Sequence, residues 1–213
     1  MKAVIFDLDG VLVDTATYHY LAWKRLAAEL GIDLSPEMNE QLKGVSRMDS
    51  LEIILKIKGL KFPDHEKIQL AERKNNWFTG YINAMSEHEL FDGVQELLND
   101  LKSHRVMTGL ASSSKNAATV LNRIKLESAF DTIVDGTMIT HSKPHPEIFL
   151  KAAQNLHIPA ETCIVVEDAE AGIDAARLAG MKVVGIGLAK QLSAADAVVP
   201  HVRQLSYQFL KRL

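Results

Sequence analysis

Short, unbroken apolar runs recur along the 213-residue chain, with helical spacing between them. The runs are Ala3–Phe6, Met107–Ala111, Thr132–Val134, Cys163–Val166 and Val183–Ile186. Continuous rather than alternating hydrophobicity predicts strands covered on both faces, as in a parallel sheet. Helical patterns occupy Gly93–Lys102, Asn116–Ile124, Pro146–Leu156 and Ala171–Ala179, the last stopped by Gly180. Strands alternating with helices predict a doubly wound, mostly parallel α/β sheet. Ala197–Val199 adds a short edge strand.

The first crossover breaks this rhythm. About a hundred residues separate the first two runs, where a helix and its loops need only about 30. That stretch reads as four helices: Tyr18–Leu30, Pro36–Lys43, Asp49–Ile57 and His65–Ile82. The first places Leu21, Ala22, Leu26, Ala27 and Leu30 at helical spacing and stops at Gly31. Residues 15–85 are therefore expected to form a helical-bundle cap inserted into an α/β core made of 1–14 and 86–213. Helical insertions over such sheets commonly act as lids. Trp23, Trp77 and Tyr81 suit packing within the bundle better than stacking on a substrate.

Composition narrows the options. A net charge of −3 with scattered Lys and Arg does not provide the clustered basic face that nucleic acid requires. One cysteine, Cys163, sits in an apolar run and forms no internal disulfide, which fits a reducing compartment. Asp7 and Asp9 interrupt the N-terminal apolar run too early for a signal peptide, and no stretch approaches the ~20 apolar residues of a membrane span. The expectation is a soluble cytoplasmic protein, with a monomer as the default.

Chemistry concentrates at the ends of the expected strands. Phe6-Asp7-Leu8-Asp9-Gly10-Val11 puts two carboxylates, spaced by two, at the carboxyl end of the first run. Ligands of open α/β sheets bind at that edge, and extended spacing of two aims both side chains the same way. Glu167-Asp168 ends another buried run at the same edge. Carboxylates so close need a cation between them, and Mg²⁺ takes oxygen ligands of this kind. Ser112-Ser113-Ser114-Lys115-Asn116 opens a helix, where hydroxyls and backbone N–H groups bind anions. Lys143 arrives at the same edge from Ser142-Lys143-Pro144. His141 and His145 flank it and suggest zinc, but no third ligand is evident and Lys143 opposes a cation, so zinc is rejected.

Asp7-Leu8-Asp9-Gly10, Ser112, Lys143-Pro144 and Glu167-Asp168, in that order, resemble the four signature motifs of the haloacid dehalogenase superfamily, with its Rossmann-like core. The cap resembles one family in particular, the β-phosphoglucomutases. That likeness rests on Asp14-Thr15-Ala16, Tyr18-His19, Leu42-Lys43-Gly44-Val45-Ser46-Arg47, Asp49-Ser50 and Arg73-Lys74-Asn75. The resemblance implies that Asp7 is the nucleophile and becomes an aspartyl phosphate, while Asp9 is the general acid–base. It implies Mg²⁺ held by Asp7, the Asp9 carbonyl and Asp168, with Glu167 in the shell or just behind it. Ser112 and Lys143 would hold the transferring phosphate. Arg47, with Ser114, Lys115 and Asn116, would hold a second phosphate on a sugar bisphosphate intermediate. Lys43, Gly44, Ser50, Lys74, His19 and the hinge residue Thr15 complete the implied substrate site.

Two departures stand out: Ser113 replaces a usual Ala, and Glu147 replaces a usual Asp, a change expected to affect only helix capping. The implied reaction interconverts β-glucose 1-phosphate and glucose 6-phosphate. A sugar-phosphate phosphatase is the alternative, since it would share Asp7, Asp9, Lys143 and Asp168 but need no second phosphate set. A non-enzymatic binding module would be favoured only if Asp7 or Asp9 were replaced.

Overall fold

The computed structural model describes every residue, Met1–Leu213. Six parallel strands make one sheet: β1 (Ala3–Phe6), β2 (Met107–Ala111), β3 (Thr132–Val134), β4 (Cys163–Glu167), β5 (Lys182–Ile186) and β6 (Ala197–Val199). Their spatial order is β3-β2-β1-β4-β5-β6. The chain thus builds outward from β1 on one side, then returns to lay β4 against its other side. Such a reversal of strand order opens a crevice at the carboxyl edge, where ligands bind.

Register decides what faces that crevice. Phe6 lies opposite Leu110 on β2 and Val166 on β4, so Asp7, Ala111 and Glu167 come next at one edge. Alternate strand residues enter opposite layers. Val4 and Phe6 join a cluster with Leu97 and Leu101 of α5 (Val94–Ser103) and Val120 of α6 (Ala117–Arg123). Ala3 and Ile5 join another with Phe149 and Ala152 of α7 (Glu147–Asn155) and Ile173 of α8 (Glu170–Leu178). Helices on both faces explain why the strand sequences are apolar throughout.

Between β1 and β2 lie α1 (Ala16–Glu29), α2 (Pro36–Glu40), α3 (Arg47–Ile57) and α4 (Asp64–Asn83). They enclose a core of their own that includes Trp23, Leu26, Leu51, Ile54 and Leu70. Phe78 and Ile82, near the end of α4, pack instead with the sheet layer and tie the insertion down. Trp23 is buried as expected, Trp77 lies under the Arg25 guanidinium, and Tyr81 stacks on Tyr18. α3 starts two residues before its expected position because the Ser46 hydroxyl caps it, accepting the Asp49 N–H at 3.2 Å. α2 is shorter than its pattern suggested. A last helix, α9 (Tyr207–Leu210), closes the chain; no pattern had pointed to it. No helix is long and apolar enough to cross a membrane.

Candidate active site

Asp7 continues β1, its amide donating to the Val166 carbonyl at 3.0 Å. The chain then turns at Gly10, whose φ of 82° suits glycine, and a side chain there would overlap the Asp168 carboxylate. Gly10 thus lets Asp168 approach the Asp7–Asp9 turn. Oxygens of Asp7, Glu167 and Asp168 lie within 4.8 Å of one another.

Lys143 enters from the loop before α7 and is fully buried rather than a surface lysine. Its Nζ donates to Asp7 Oδ1 at 2.5 Å, Glu167 Oε1 at 2.5 Å and the Ala111 carbonyl at 3.2 Å. The second Glu167 oxygen, Oε2, accepts the Ala169 N–H at 2.9 Å. Gly172 lies against that carboxylate so closely that a Cβ would overlap it. Glu167 is therefore clamped on both oxygens, and it orients Lys143 toward Asp7.

Lys143 inside the cluster and Lys43 at 3.8 Å from Asp168 still leave the carboxylates of Asp7, Glu167 and Asp168 short of positive charge. Burial pushes Asp7 up to about 8, with Lys143 opposing the rise and Glu167 and Asp9 adding to it. Burial, then Glu167 and Asp7, holds Asp168 well above the usual carboxylate range. A hard divalent cation with oxygen ligands relieves this deficit, so the donor set fits Mg²⁺.

Asp9 is held by three neighbours. The Thr15 hydroxyl donates to Oδ1, the Ser112 hydroxyl donates to Oδ2 at 3.5 Å, and His19 Nε2 stands 3.9 Å from Oδ1. Burial raises the Asp9 pKa. His19 Nδ1 lies 2.8 Å from the buried Nζ of Lys74, which itself sits over the rings of Trp23 and Phe78. Burial, then Lys74 and Arg47, holds His19 well below its ordinary value, so the ring is neutral. With Nδ1 accepting from Lys74, the ring proton belongs on Nε2, facing Asp9. Burial, then Arg47, lowers Lys74 to about 7.

Asp7, Asp9 and Asp168 line a cavity of about 560 Å³ between sheet edge and insertion. His19, Lys43, Gly44, Arg47, Ser50 and Lys74 line it from the insertion, and Ser113, Ser114, Lys115 and Asn116 from the β2–α6 loop. Thr15, Ser112, Lys143 and Glu167 do not reach the wall; Thr15 and Ser112 hold Asp9 from behind, Lys143 holds Asp7, and Glu167 holds Lys143. Ser50 lines the cavity, but its hydroxyl already donates to the Ser46 carbonyl at 3.0 Å. Asn39, Glu72 and Thr140 also line it and were missed; on the sequence they are ordinary polar residues of helices and a loop.

The insertion is closed on the sheet domain by polar contacts. Ser113 Oγ donates to the Gly44 carbonyl at 2.8 Å, Ser142 Oγ to Asp49 Oδ2 at 2.6 Å, and Asn116 Nδ2 to Asn75 Oδ1 at 2.8 Å. Lys43 Nζ lies 3.8 Å from Asp168 Oδ2 and 3.0 Å from Glu40 Oε2. The Ser113 hydroxyl, an Ala position in the pattern, thus bonds insertion to sheet domain.

Two expectations around Lys143 need correction. Glu147 does not merely cap its own helix: its carboxylate reaches back to accept the Thr140 and His141 N–H groups at 2.9 and 2.8 Å. It also supplies the third potential ligand beside His141 and His145 that the sequence had not revealed. Lys143 does not oppose a cation there, because its charge points inward to Asp7 and Glu167.

Residues 4–186 match the family described as haloacid dehalogenase-like hydrolase. A β-phosphoglucomutase of Bacillus subtilis is 45% identical over 99% of this chain and 94% of its own length. A phosphorylated carbohydrates phosphatase of Thermotoga maritima is 32% identical over 85% of this chain and 83% of its own. The crystal structure of a Clostridium difficile β-phosphoglucomutase superposes with a TM-score of 0.96 at 44% identity, covering 100% of this chain and 96% of that one. With the family match over residues 4–186, 45% identity to the first relative over nearly the whole chain, and its signature residues gathered at one sheet edge, the chain belongs to the haloacid dehalogenase-like hydrolase family and, within it, to the β-phosphoglucomutases.

Proposed function

We propose that the protein interconverts β-glucose 1-phosphate and glucose 6-phosphate through an aspartyl phosphate and a β-glucose 1,6-bisphosphate. The observation that carries this reading is a single cavity lined both by the Asp7–Asp9 pair and by Arg47, Ser114, Lys115 and Asn116. A phosphatase needs only the first set; a mutase must also hold the phosphate that is not reacting. Residues 15–85 act as the cap that closes over both.

Asp7 and Asp168, with the Asp9 carbonyl, would hold Mg²⁺, and Glu167 would support the shell from behind. The ion would supply positive charge to the anionic oxygens of nucleophile and phosphate.

Lys143 fixes the direction of Asp7 Oδ1 and opposes the rise in its pKa, and the cation would complete its ionisation. Asp7 attacks phosphorus; the bond from phosphorus to the sugar oxygen breaks, and the Asp9 carboxyl gives its proton to that oxygen. Burial, which favours the protonated form of Asp9, suits it to this task. In the half-reaction that precedes this one, Asp9 takes a proton from the free hydroxyl of the sugar monophosphate as that oxygen attacks the phosphate on Asp7; the bond from phosphorus to Asp7 breaks and the bisphosphate forms. Between the halves the cap opens, the bisphosphate turns round, and Arg47 takes the phosphate that had been at Asp7. His19, steered by Lys74 on the cap, positions Asp9 when the cap is shut. Closure also keeps water from the aspartyl phosphate.

The test is to feed Mg²⁺-loaded protein β-glucose 1-phosphate with a trace of the 1,6-bisphosphate. Glucose 6-phosphate must appear and depend on the bisphosphate; formation of free glucose and phosphate instead would make the protein a phosphatase.

A further inference from the structure

We propose that His141, His145 and Glu147 form a second metal site, for one borderline divalent ion such as Zn²⁺, on the loop that delivers Lys143. Ligand atoms of the three side chains lie within 4.8 Å of one another. The two imidazole rings stand face to tilted face, with centroids 4.6 Å apart and planes 35° apart. His141 Nδ1 is 3.0 Å from Glu147 Oε2. Rotation of the two exposed histidines toward the half-buried Glu147 would bring two nitrogens and one oxygen to the Zn–N and Zn–O distances of about 2.0–2.2 Å. Water completes a tetrahedral shell, since the site opens to solvent.

The chemistry of the donors separates this site from the catalytic cluster. Imidazole nitrogens favour Zn²⁺, Cu²⁺ or Ni²⁺, whereas the all-carboxylate set around Asp7 favours Mg²⁺. Glu147 is already oriented, because the Thr140 and His141 backbone N–H groups hold its two oxygens. Metal sites depend on such outer contacts to fix their ligands. Lys143, between the two histidines in sequence, does not repel the ion, because its Nζ is buried against Asp7 and Glu167.

The placement gives the site a consequence. His141 and His145 bracket Ser142 and Lys143, and Ser142 donates to Asp49 on the cap at 2.6 Å. An ion across the two histidines would staple the turn that presents Lys143 to Asp7 and Ser142 to the cap.

The test is calorimetric titration of the full chain with Zn²⁺ in saturating Mg²⁺, for wild type, His141→Ala, His145→Ala and Asp168→Asn. Co²⁺ in place of Zn²⁺ reports ligand geometry through its visible spectrum. We expect one Zn²⁺ per chain, retained in Asp168→Asn and weakened at least about tenfold in each histidine variant, as loss of even a supporting partner does. Both histidine variants should keep Mg²⁺-dependent turnover, which shows that they fold. The proposal is overturned if wild type binds no stoichiometric Zn²⁺, if binding disappears in Asp168→Asn, or if either histidine variant binds like wild type.

Discussion

Replacing Lys143 with methionine keeps the length and apolar body of the side chain but removes its charge. Asp7 Oδ1 and Glu167 Oε1, each 2.5 Å from Nζ, would then face one another with no cation, and the Ala111 carbonyl would lose a donor. Removing one partner of a buried ion pair costs roughly 3–5 kcal/mol, because the remaining charge is left uncompensated. Against a typical domain stability of about 5–15 kcal/mol, the variant should fold but sit near its limit. The loss must also depend on pH. Asp7 is pushed up to about 8 even with Lys143 opposing the rise, so without the lysine it goes higher. A carboxyl whose folded pKa exceeds its unfolded value gives stability that is full below the unfolded pKa and is lost as pH rises through the folded one. The gap between wild type and variant should therefore stay flat where Asp7 is protonated in both, as at pH 6, and be wider at pH 9, where Asp7 is ionised in wild type alone. Other titrating groups, His19 and Lys74 among them, are common to both proteins and largely cancel in the difference. Urea unfolding in EDTA at both pH values measures it, with the m-value unchanged. A difference below about 1 kcal/mol at pH 9, or one no larger at pH 9 than at pH 6, would refute the reading of Lys143 as the counter-charge of this cluster.

Three further outcomes follow from the same contacts. Asp7→Asn should leave the fold intact and abolish alkali-labile phosphate on the protein; wild-type incorporation would mean another nucleophile. Gly172→Ala drives a Cβ into the Glu167 carboxylate, so turnover should fall sharply through a displaced Lys143, whereas unchanged kcat would show that the clamp is dispensable. Ser113→Ala removes the 2.8 Å bond to Gly44 and should weaken cap closure by about 1 kcal/mol, read as up to a roughly fivefold rise in KM; no change in KM would show that this contact does not contribute to closure.

The parts of the site visible in the sequence are those whose position depends on strand ends. Asp7 and Glu167-Asp168 follow apolar runs without interruption, and a parallel register brings such ends to one edge whatever the intervening chain does. The inserted helices were legible for a similar reason: a crossover three times too long must hold something of its own. The clamp of Gly172 on Glu167 and the bond of Ser113 to Gly44 join segments whose meeting no local pattern encodes. Glu147 was misread because a glutamate at a helix start normally serves that helix, whereas here the turn from Thr140 to His141 presents two N–H groups within its reach. Burial of Lys143 was likewise hidden, since only the fold shows that both Asp7 and Glu167 wait for it.

The central claim is that Arg47 makes this enzyme a mutase by holding the phosphate that is not reacting. The most direct measurement is the ratio of glucose 6-phosphate to inorganic phosphate formed from β-glucose 1-phosphate and trace bisphosphate, for wild type and Arg47→Ala side by side. Loss of a charge-assisted contact of about 1.5–3 kcal/mol predicts a fall of roughly 10- to 150-fold in kcat/KM for isomerisation. The product ratio should shift toward phosphate, while acetyl phosphate, which has no second phosphate to hold, still phosphorylates Asp7 in the variant. Mainly inorganic phosphate from wild type, or undiminished isomerisation by Arg47→Ala, would contradict the account.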